Sequence, residues 1–297
     1  MRVTQRMLVD NLRLDIAANA ENMAKLQDQI ASGKRLRSPS DDPQSVSRAL
    51  TLSSASRQNA QYLRNIDAAK GWMEATDAAL DQLSSVLTRA RDAALRGGND
   101  ILGSDERRAL ARQVDSLLEE AQQTVNSTYE GKYLFAGRLV TGSKPFDITR
   151  VPIYGGDSGE IQVEVSQGVQ IAMNLPGDVT AGGSGGVLEQ GLTSLKQLRD
   201  QLDAGNRVEP AQLDPISDCI DRIVQLRGVV GARMNRLDAT ESILNDQQTT
   251  LAAALSRAQD ADVAEVMTKL MTQETVYRAA LAAGARVIQP SLLDFLG

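Results

Sequence analysis

The feature that most constrains this chain is an apolar repeat spaced alternately three and four residues apart, which recurs in four long blocks. The first runs Val9, Leu12, Ile16, Asn19, Met23, Leu26, Ile30 without a slip, the a/d pattern of a helix with one sticky seam. The second runs Leu52, Ala55, Asn59, Tyr62, Ile66, Ala69, Met73, Thr76, Leu80, Leu83, Leu87, Ala90, Ala94. A helix from Pro43 to Arg96 would be roughly 80 Å long at 1.5 Å per residue. The third runs Leu213, Ile216, Ile220, Ile223, Arg227, Val230, Met234, Leu237, Glu241, Leu244, Gln248, Leu251, Leu255. The fourth runs Val263, Met267, Leu270, Glu274, Tyr277, Leu281, Gly284, Ile288 and stops at Pro290.

The breaks between blocks carry helix punctuation. Gly33 suits the position just past a helix end. Pro39 lies in the break, and Asp42 followed by Pro43 suits an N-cap and a first helical residue. Gly97-Gly98-Asn99 ends the second block, and Ser104 starts a shorter helix with Leu110, Val114, Leu117 and Ala121 on one face. Between 131 and 187 the period switches from helical to alternating. Ile161, Val163 and Val165 oppose Gln162 and Glu164, and after Gln167-Gly168 the alternation resumes at Val169, Ile171, Met173 and Leu175, which predicts a β-hairpin. The stretch TAGGSGG at 180–186 lacks the Lys-Ser/Thr of a phosphate loop and reads as a linker.

These blocks predict a mainly α chain with a small β-rich insert, folded as an elongated antiparallel helical bundle or coiled coil with both termini at one end. Five segments follow: an N-terminal helix of an inner domain (1–42), half of a helical rod (43–130), the β-rich outer domain (131–187), the other half of the rod (188–256) and a C-terminal inner-domain helix (257–297). The short terminal helices bury few side chains. Each burial gains roughly 1.5–3 kcal/mol, against backbone ordering of roughly 1–2 kcal/mol per residue. Residues 1–40 and 257–297 are therefore expected to be largely disordered in the free monomer and to fold when neighbours cover their seams.

Composition excludes several function classes. The 297 residues contain no histidine, which removes the commonest general base and metal ligand. No acid–base or nucleophile constellation stands in its place, so no catalytic, cofactor or metal residues are expected. Lys and Arg number 32 against 38 Asp and Glu, and no basic stripe points to nucleic acid. The single cysteine, Cys219, beside Ile220, is expected to be a small, half-buried filler. Trp72 is expected to pack on a neighbouring helix, and Asp260-Ala261-Asp262 to form a solvated turn or helix cap. Arginines along the long helices are expected on solvated faces with i,i+4 partners, or in some cases at subunit contacts. No membrane span or secretory signal is visible, so these signals alone read as cytoplasmic.

The segment ASGKRLRSPSDDP at 31–43 resembles the signature that follows the first helix of flagellins and their relatives. AQDADVAEV at 258–266 resembles their second signature, and QPSLLDFL at 289–296 resembles their C-terminal end. Tyr133-Leu134-Phe135-Ala136-Gly137, followed by Lys144-Pro145-Phe146, resembles a segment of the family's hook–filament junction branch; a short flagellin forming the filament itself is the alternative. The resemblance implies a structural, non-enzymatic role. It implies export through the flagellar type III apparatus without a cleaved signal peptide, to an extracellular place in the flagellum. Implied partners are copies of the chain itself in a ring-like layer, hook-associated protein 1, flagellin, and an export chaperone bound within the C-terminal segment; no membrane or nucleic acid is implied. The implied subunit-packing seam is Val9, Leu12, Ile16, Asn19, Met23, Leu26 and Ile30 with Val263, Met267, Leu270, Tyr277, Leu281 and Ile288, and Gly33, Pro39, Asp42 and Pro43 form the hinge and caps. Asn19 and Glu274, polar within their seams, either fix register or face a solvated edge of the bundle.

Overall fold

The computed structural model describes residues 5–36, 38, 42–179 and 186–288. Pro39, the 180–185 stretch and the 289–296 signature lie outside them. Six helices are described: α1 (Gln5–Ser32), α2 (Pro43–Gly97), α3 (Ser104–Val125), α4 (Val187–Asp203), α5 (Asp214–Gln259) and α6 (Val263–Ile288). Four short strands lie between α3 and α4: β1 (Thr128–Tyr129), β2 (Lys132–Tyr133), β3 (Gln162–Ser166) and β4 (Val169–Ala172). The chain is thus mainly α with a small β insert, as the change of period predicts. It divides into two compact units, one of residues 1–58 with 247–297 and one of 59–246. The divisions fall inside α2 and α5 rather than at the breaks at 42 and 257.

The 59–246 unit is built on the antiparallel pairing of α2 with α5. Asn59 Nδ2 donates to the Leu244 carbonyl at 2.8 Å. Lys70 Nζ reaches Asp238 at 2.6 Å and Glu241 at 3.0 Å. Farther along, Arg227 reaches Asp77 at 2.8 Å and Asp81 at 2.5 Å. The polar seam residues Arg227 and Glu241 are therefore cross-helix partners, and Arg227 makes no i,i+4 pair of the kind expected for these arginines. The two carboxylates that accept hydrogen bonds from Lys70 push its ammonium pKa above the ordinary lysine value.

Every seam position of α2 from Asn59 to Ala94 is buried: α3 and α4 add a second layer over its C-terminal half, and the insert reaches its earlier turns, where Asn65 Nδ2 donates to the Glu164 carbonyl at 2.8 Å. These two pack on each other, with Arg199 bridging to Asp115 at 2.8 Å. Leu188, Leu192 and Leu195 of α4 have no exposed surface. Cys219 is fully rather than half buried: its Sγ lies 3.2 Å from the Val187 carbonyl, and burial pushes the thiol pKa up to about 12.

The insert begins with a tight hairpin. Glu130 and Gly131 are both at positive φ (49° and 75°), as a type I′ turn requires, and β1 and β2 pair antiparallel around them. Trp72 packs edge-on against Tyr129 of this hairpin at 6.1 Å, where a helix neighbour was expected. Strands β3 and β4 form the predicted antiparallel hairpin around Gln167-Gly168, with an irregularity between Glu164 and Ser166. The loops between are tied by side chains. Buried Asn174 donates to the carbonyls of Gly137 and Gly159 at 3.0 and 3.1 Å and accepts from Ile161 N at 2.7 Å. Tyr154 Oη donates to the Asp157 carbonyl at 2.8 Å and lies 3.0 Å from the Phe135 carbonyl. Leu134, Phe135, Ala136 and Phe146 are buried at about 1% exposure or less, so the two ends of the 133–146 segment enter the core of the insert, while Arg138, Leu139 and 141–144 between them are exposed.

Candidate assembly surface

The 1–58 and 247–297 unit holds most of the residues assigned to subunit packing. Its helices α1 and α6 run antiparallel. Asn19 Oδ1 accepts from Gln273 Nε2 at 2.9 Å, and Leu12 lies where a side chain on Gly284 would meet it, 2.8 Å from an ideal Cβ. The turns at the ends of α1 and α5 are locked by backbone. Arg35 N donates to the Gln259 carbonyl at 2.7 Å, and Ala261 N donates to the Gly33 carbonyl at 2.9 Å, flanking a bridge between Lys34 and Asp260. Arg35 Nη2 adds a bond to the Ala258 carbonyl at 3.3 Å across 223 positions of sequence. The two signature segments thus form one small antiparallel joint.

Punctuation works on both sides of that joint. Gly33 takes φ +68°, and its N–H bonds the Gln29 carbonyl at 2.9 Å, so it ends α1. Asp42 Oδ1 accepts from Gln44 N and Ser45 N, both at 3.2 Å, and Pro43 opens α2. Ser45 holds the Asp42 carboxyl below the usual range, chiefly through a side-chain hydrogen bond. Asp262 caps α6 in the same way, accepting from Ala264 N at 3.0 Å and Glu265 N at 3.2 Å, which makes the Asp260–Asp262 stretch a turn and a cap.

All seven α1 seam positions, Val9 to Ile30, are half-buried, and none is fully buried. On α6 the half-buried or buried positions are Val266, Leu270, Gln273, Glu274, Tyr277, Ala280 and Gly284, and all but Glu274 form a line again spaced four and three. Only Leu270 and Tyr277 of the assigned seam residues lie on it. Val263, Met267 and Leu281 are 44–48% exposed on an adjacent flank, and the side chain of Ile288 lies outside the described residues. Glu274 pairs along its own helix with Arg278 at 3.8 Å, while Asn19 finds its partner in Gln273. Sequence reasoning missed Gln273 and Ala280 because a small or polar residue on a contact line carries no apolar signal, whereas Gly284 was already within the predicted repeat. The readable signal was Gly284 itself, since glycine within a helix permits close approach.

The arrangement can hold protein surfaces together rather than carry out chemistry. Met7 and Leu14 of α1 and Met271 of α6 are further large exposed apolar side chains, and such surface marks contact sites. Among the described residues no group of three His, Cys, Asp or Glu side chains could hold a metal ion, and no helix is long and apolar enough to cross a membrane.

Comparison with known proteins agrees with this geometry. The profile of the bacterial flagellin N-terminal helical region matches residues 3–139, and that of the C-terminal helical region matches 213–296. Flagellar hook-associated protein 3 of Salmonella typhimurium is 26% identical, over 94% of this chain and 95% of its own. A flagellin of Listeria monocytogenes is 25% identical, over 87% of each. The crystal structure of Bacillus cereus FlgL shares the fold, with a TM-score of 0.60 at 21% identity over 69% of this chain and 99% of that one. Both terminal regions match in order, and their signature segments are hydrogen-bonded to each other, so the chain belongs to the flagellin family.

Proposed function

We propose that this chain is a structural junction protein of the bacterial flagellum, joining the hook side to the filament through its terminal helices. The observation that carries this reading is the end-to-end similarity to hook-associated protein 3, which runs through the insert region where the two flagellin profiles fall silent. In this reading 1–42 and 257–297 form the inner layer, 43–130 and 188–256 the rod, and 131–187 the outward face. Val263, Met267 and Leu281, left open on the single chain, cover their apolar surface against neighbouring subunits. Those neighbours are further copies in a ring-like layer, hook-associated protein 1 and flagellin. The chain reaches them through the flagellar type III apparatus, with a chaperone covering part of 256–297 beforehand.

A second reading, a short flagellin, is favoured by the Listeria flagellin that matches over 87% of both chains. Deleting the gene separates the two. A junction mutant assembles hooks but sheds flagellin monomers into the medium. Normal filaments on the mutant refute the junction; loss of the filament protein itself from sheared flagella supports the second reading.

A further inference from the structure

Peroxides attack protein sulfur, and the two units of this chain present it differently. The single thiol, on Cys219, is 1% exposed, and burial pushes its pKa up to about 12, so the reactive thiolate is scarce at neutral pH. Of the eight methionines, Met1 lies outside the described residues. In the 59–246 unit Met73 is buried, and Met173 and Met234 are half-buried against the core. In the other unit Met23 is a half-buried seam residue of α1, whereas Met7, Met267 and Met271 are 57%, 48% and 68% exposed. Among the described residues, every exposed sulfur therefore stands on α1 or α6.

Met267 and Met271 are one helical turn apart, on the flank that Val263 begins and Leu281 resumes. At 100° per residue these four side chains fall within about 80° of one another around α6. A thioether adheres there as an adaptable apolar group. A sulfoxide is polar and chiral, and burying it without a hydrogen-bond donor carries a penalty. The donors nearest along the helix are already engaged. The hydroxyls of Thr268, Thr272 and Thr275 each donate to a carbonyl of their own helix at 2.9 Å, and Lys269 pairs with Glu265 at 2.7 Å.

We infer that Met267 and Met271 form an oxidation site at which a peroxide decides whether this chain enters the assembly. The thioether sulfur attacks one peroxide oxygen, an S–O bond forms as the O–O bond breaks, and the departing hydroxide takes up a proton to leave as water. The sulfur loses two electrons and the peroxide gains them. A thiol-dependent sulfoxide reductase reverses the step: its thiol pair becomes a disulfide, and the oxygen leaves as water. The modification acts on the chain before assembly, since neighbours cover this flank afterwards. The inference rests on the junction reading above, which supplies those neighbours.

Peptide mapping and complementation test it. The purified full-length chain is treated with hydrogen peroxide, and sulfoxide at each methionine is followed by mass spectrometry. Met267 and Met271 should oxidise at least about tenfold faster than Met73, with Cys219 unmodified; equal rates overturn the site. The deletion strain then carries the wild-type gene, Met267→Leu with Met271→Leu, or Met267→Gln with Met271→Gln, whose amides stand in for the sulfoxides. Flagella are sheared and regrow with or without a peroxide pulse that leaves the cells viable. With the wild-type gene the pulse should raise shed flagellin about tenfold, which corresponds to about 1.4 kcal/mol at the contact. The Leu pair should not respond, and the Gln pair should shed about tenfold more than wild type without any peroxide.

A Leu pair as sensitive to peroxide as the wild-type gene overturns the inference. So does a Gln pair that sheds no more than wild type. Each purified variant must melt like wild type; a Gln pair that melts early is replaced by Met267→Gln alone, which must shed partially. A deletion strain that keeps its filaments refutes the junction reading instead, and that result is read before any variant is made.

Discussion

The same heptad grammar produces two different kinds of packing in this molecule. In the 59–246 unit the seam of α2 is sealed: Ile66, Leu80, Leu87 and Ala90 have no exposed surface, and Ile216 and Leu237 of α5 match them. In the other unit α1 and α6 meet along an equally regular seam, yet every α1 position on it stays half-exposed. The difference lies in the number of layers. Two helices cover one side of each seam residue; α3, α4 and the insert cover the other side in the 59–246 unit, and no comparable layer is described beside α1 and α6. A half-covered seam retains part of its hydrophobic free energy for a later partner, which is what an assembling helix pair requires.

The most direct way to break this comparison is hydrogen exchange on the free chain. Amides of α2 between 59 and 94 and of α5 between 216 and 244 should open only with global unfolding, while those of α1 and α6 should open locally at least about 100-fold more often. Equal protection in both units would dissolve the distinction and with it the expectation that the terminal helices order on assembly.

Truncation sharpens the same contrast. Leu87→Ala should destabilise the chain by about 2–5 kcal/mol in denaturant unfolding, as emptied core sites do. Leu26→Ala removes a half-covered side chain, so it should cost about 1 kcal/mol and show only as faster exchange in α1 and α6. A large global loss from Leu26→Ala would mean that the terminal pair is sealed after all.

How much of this was readable in advance depended on what each contact line is made of. The seams of α2 and α5 carry large apolar residues at nearly every turn, so position and partner followed from spacing. On α6 the large residues Val263, Met267 and Leu281 lie on a flank, while the line facing α1 runs through Gln273, Ala280 and Gly284; a hydrophobicity pattern follows side-chain size and finds the flank. The β3–β4 hairpin was legible from alternation. The path from 134 to 161 was not, because it is fixed by Asn126, Tyr154 and Asn174 bonding the distant carbonyls of Phe146, Phe135 and Gly137. The capping residues Asp42 and Pro43 were legible because capping is local.

Cys219 tests the sealed side of the comparison by pH. Its folded pKa, about 12, exceeds the value near 9 of a free thiol, so the unfolded chain loses this proton first. The stabilisation is fully present below about pH 9 and is lost as pH rises toward 12, at up to about 1.4 kcal/mol per pH unit for one proton. Cys219→Ala should flatten that part of the stability curve at some cost in packing, and the native thiol should resist alkylation at pH 8. Rapid alkylation without unfolding would show that the α4–α5 contact breathes.

The smallest expected effect is at the Asn19–Gln273 pair, and it probes the half-covered side. Asn19→Leu leaves the Gln273 amide without its protein acceptor, but at a half-exposed site water can replace it, so the cost should stay near or below about 1 kcal/mol. Replacing both residues by Leu should slow exchange in α1 and α6, since the seam becomes apolar throughout. The same change removes the one polar layer described on that seam, and with it a device that tells one register from a slip by a heptad. Cysteines placed at Leu12 and Gly284 read the register directly: in the wild-type background they should form a single disulfide, and with both Leu substitutions, cross-links at heptad-shifted sites should appear. If the register holds without the polar pair, it is set by the Gly33–Ala261 joint and the close approach at Gly284, and the seam contributes adhesion alone.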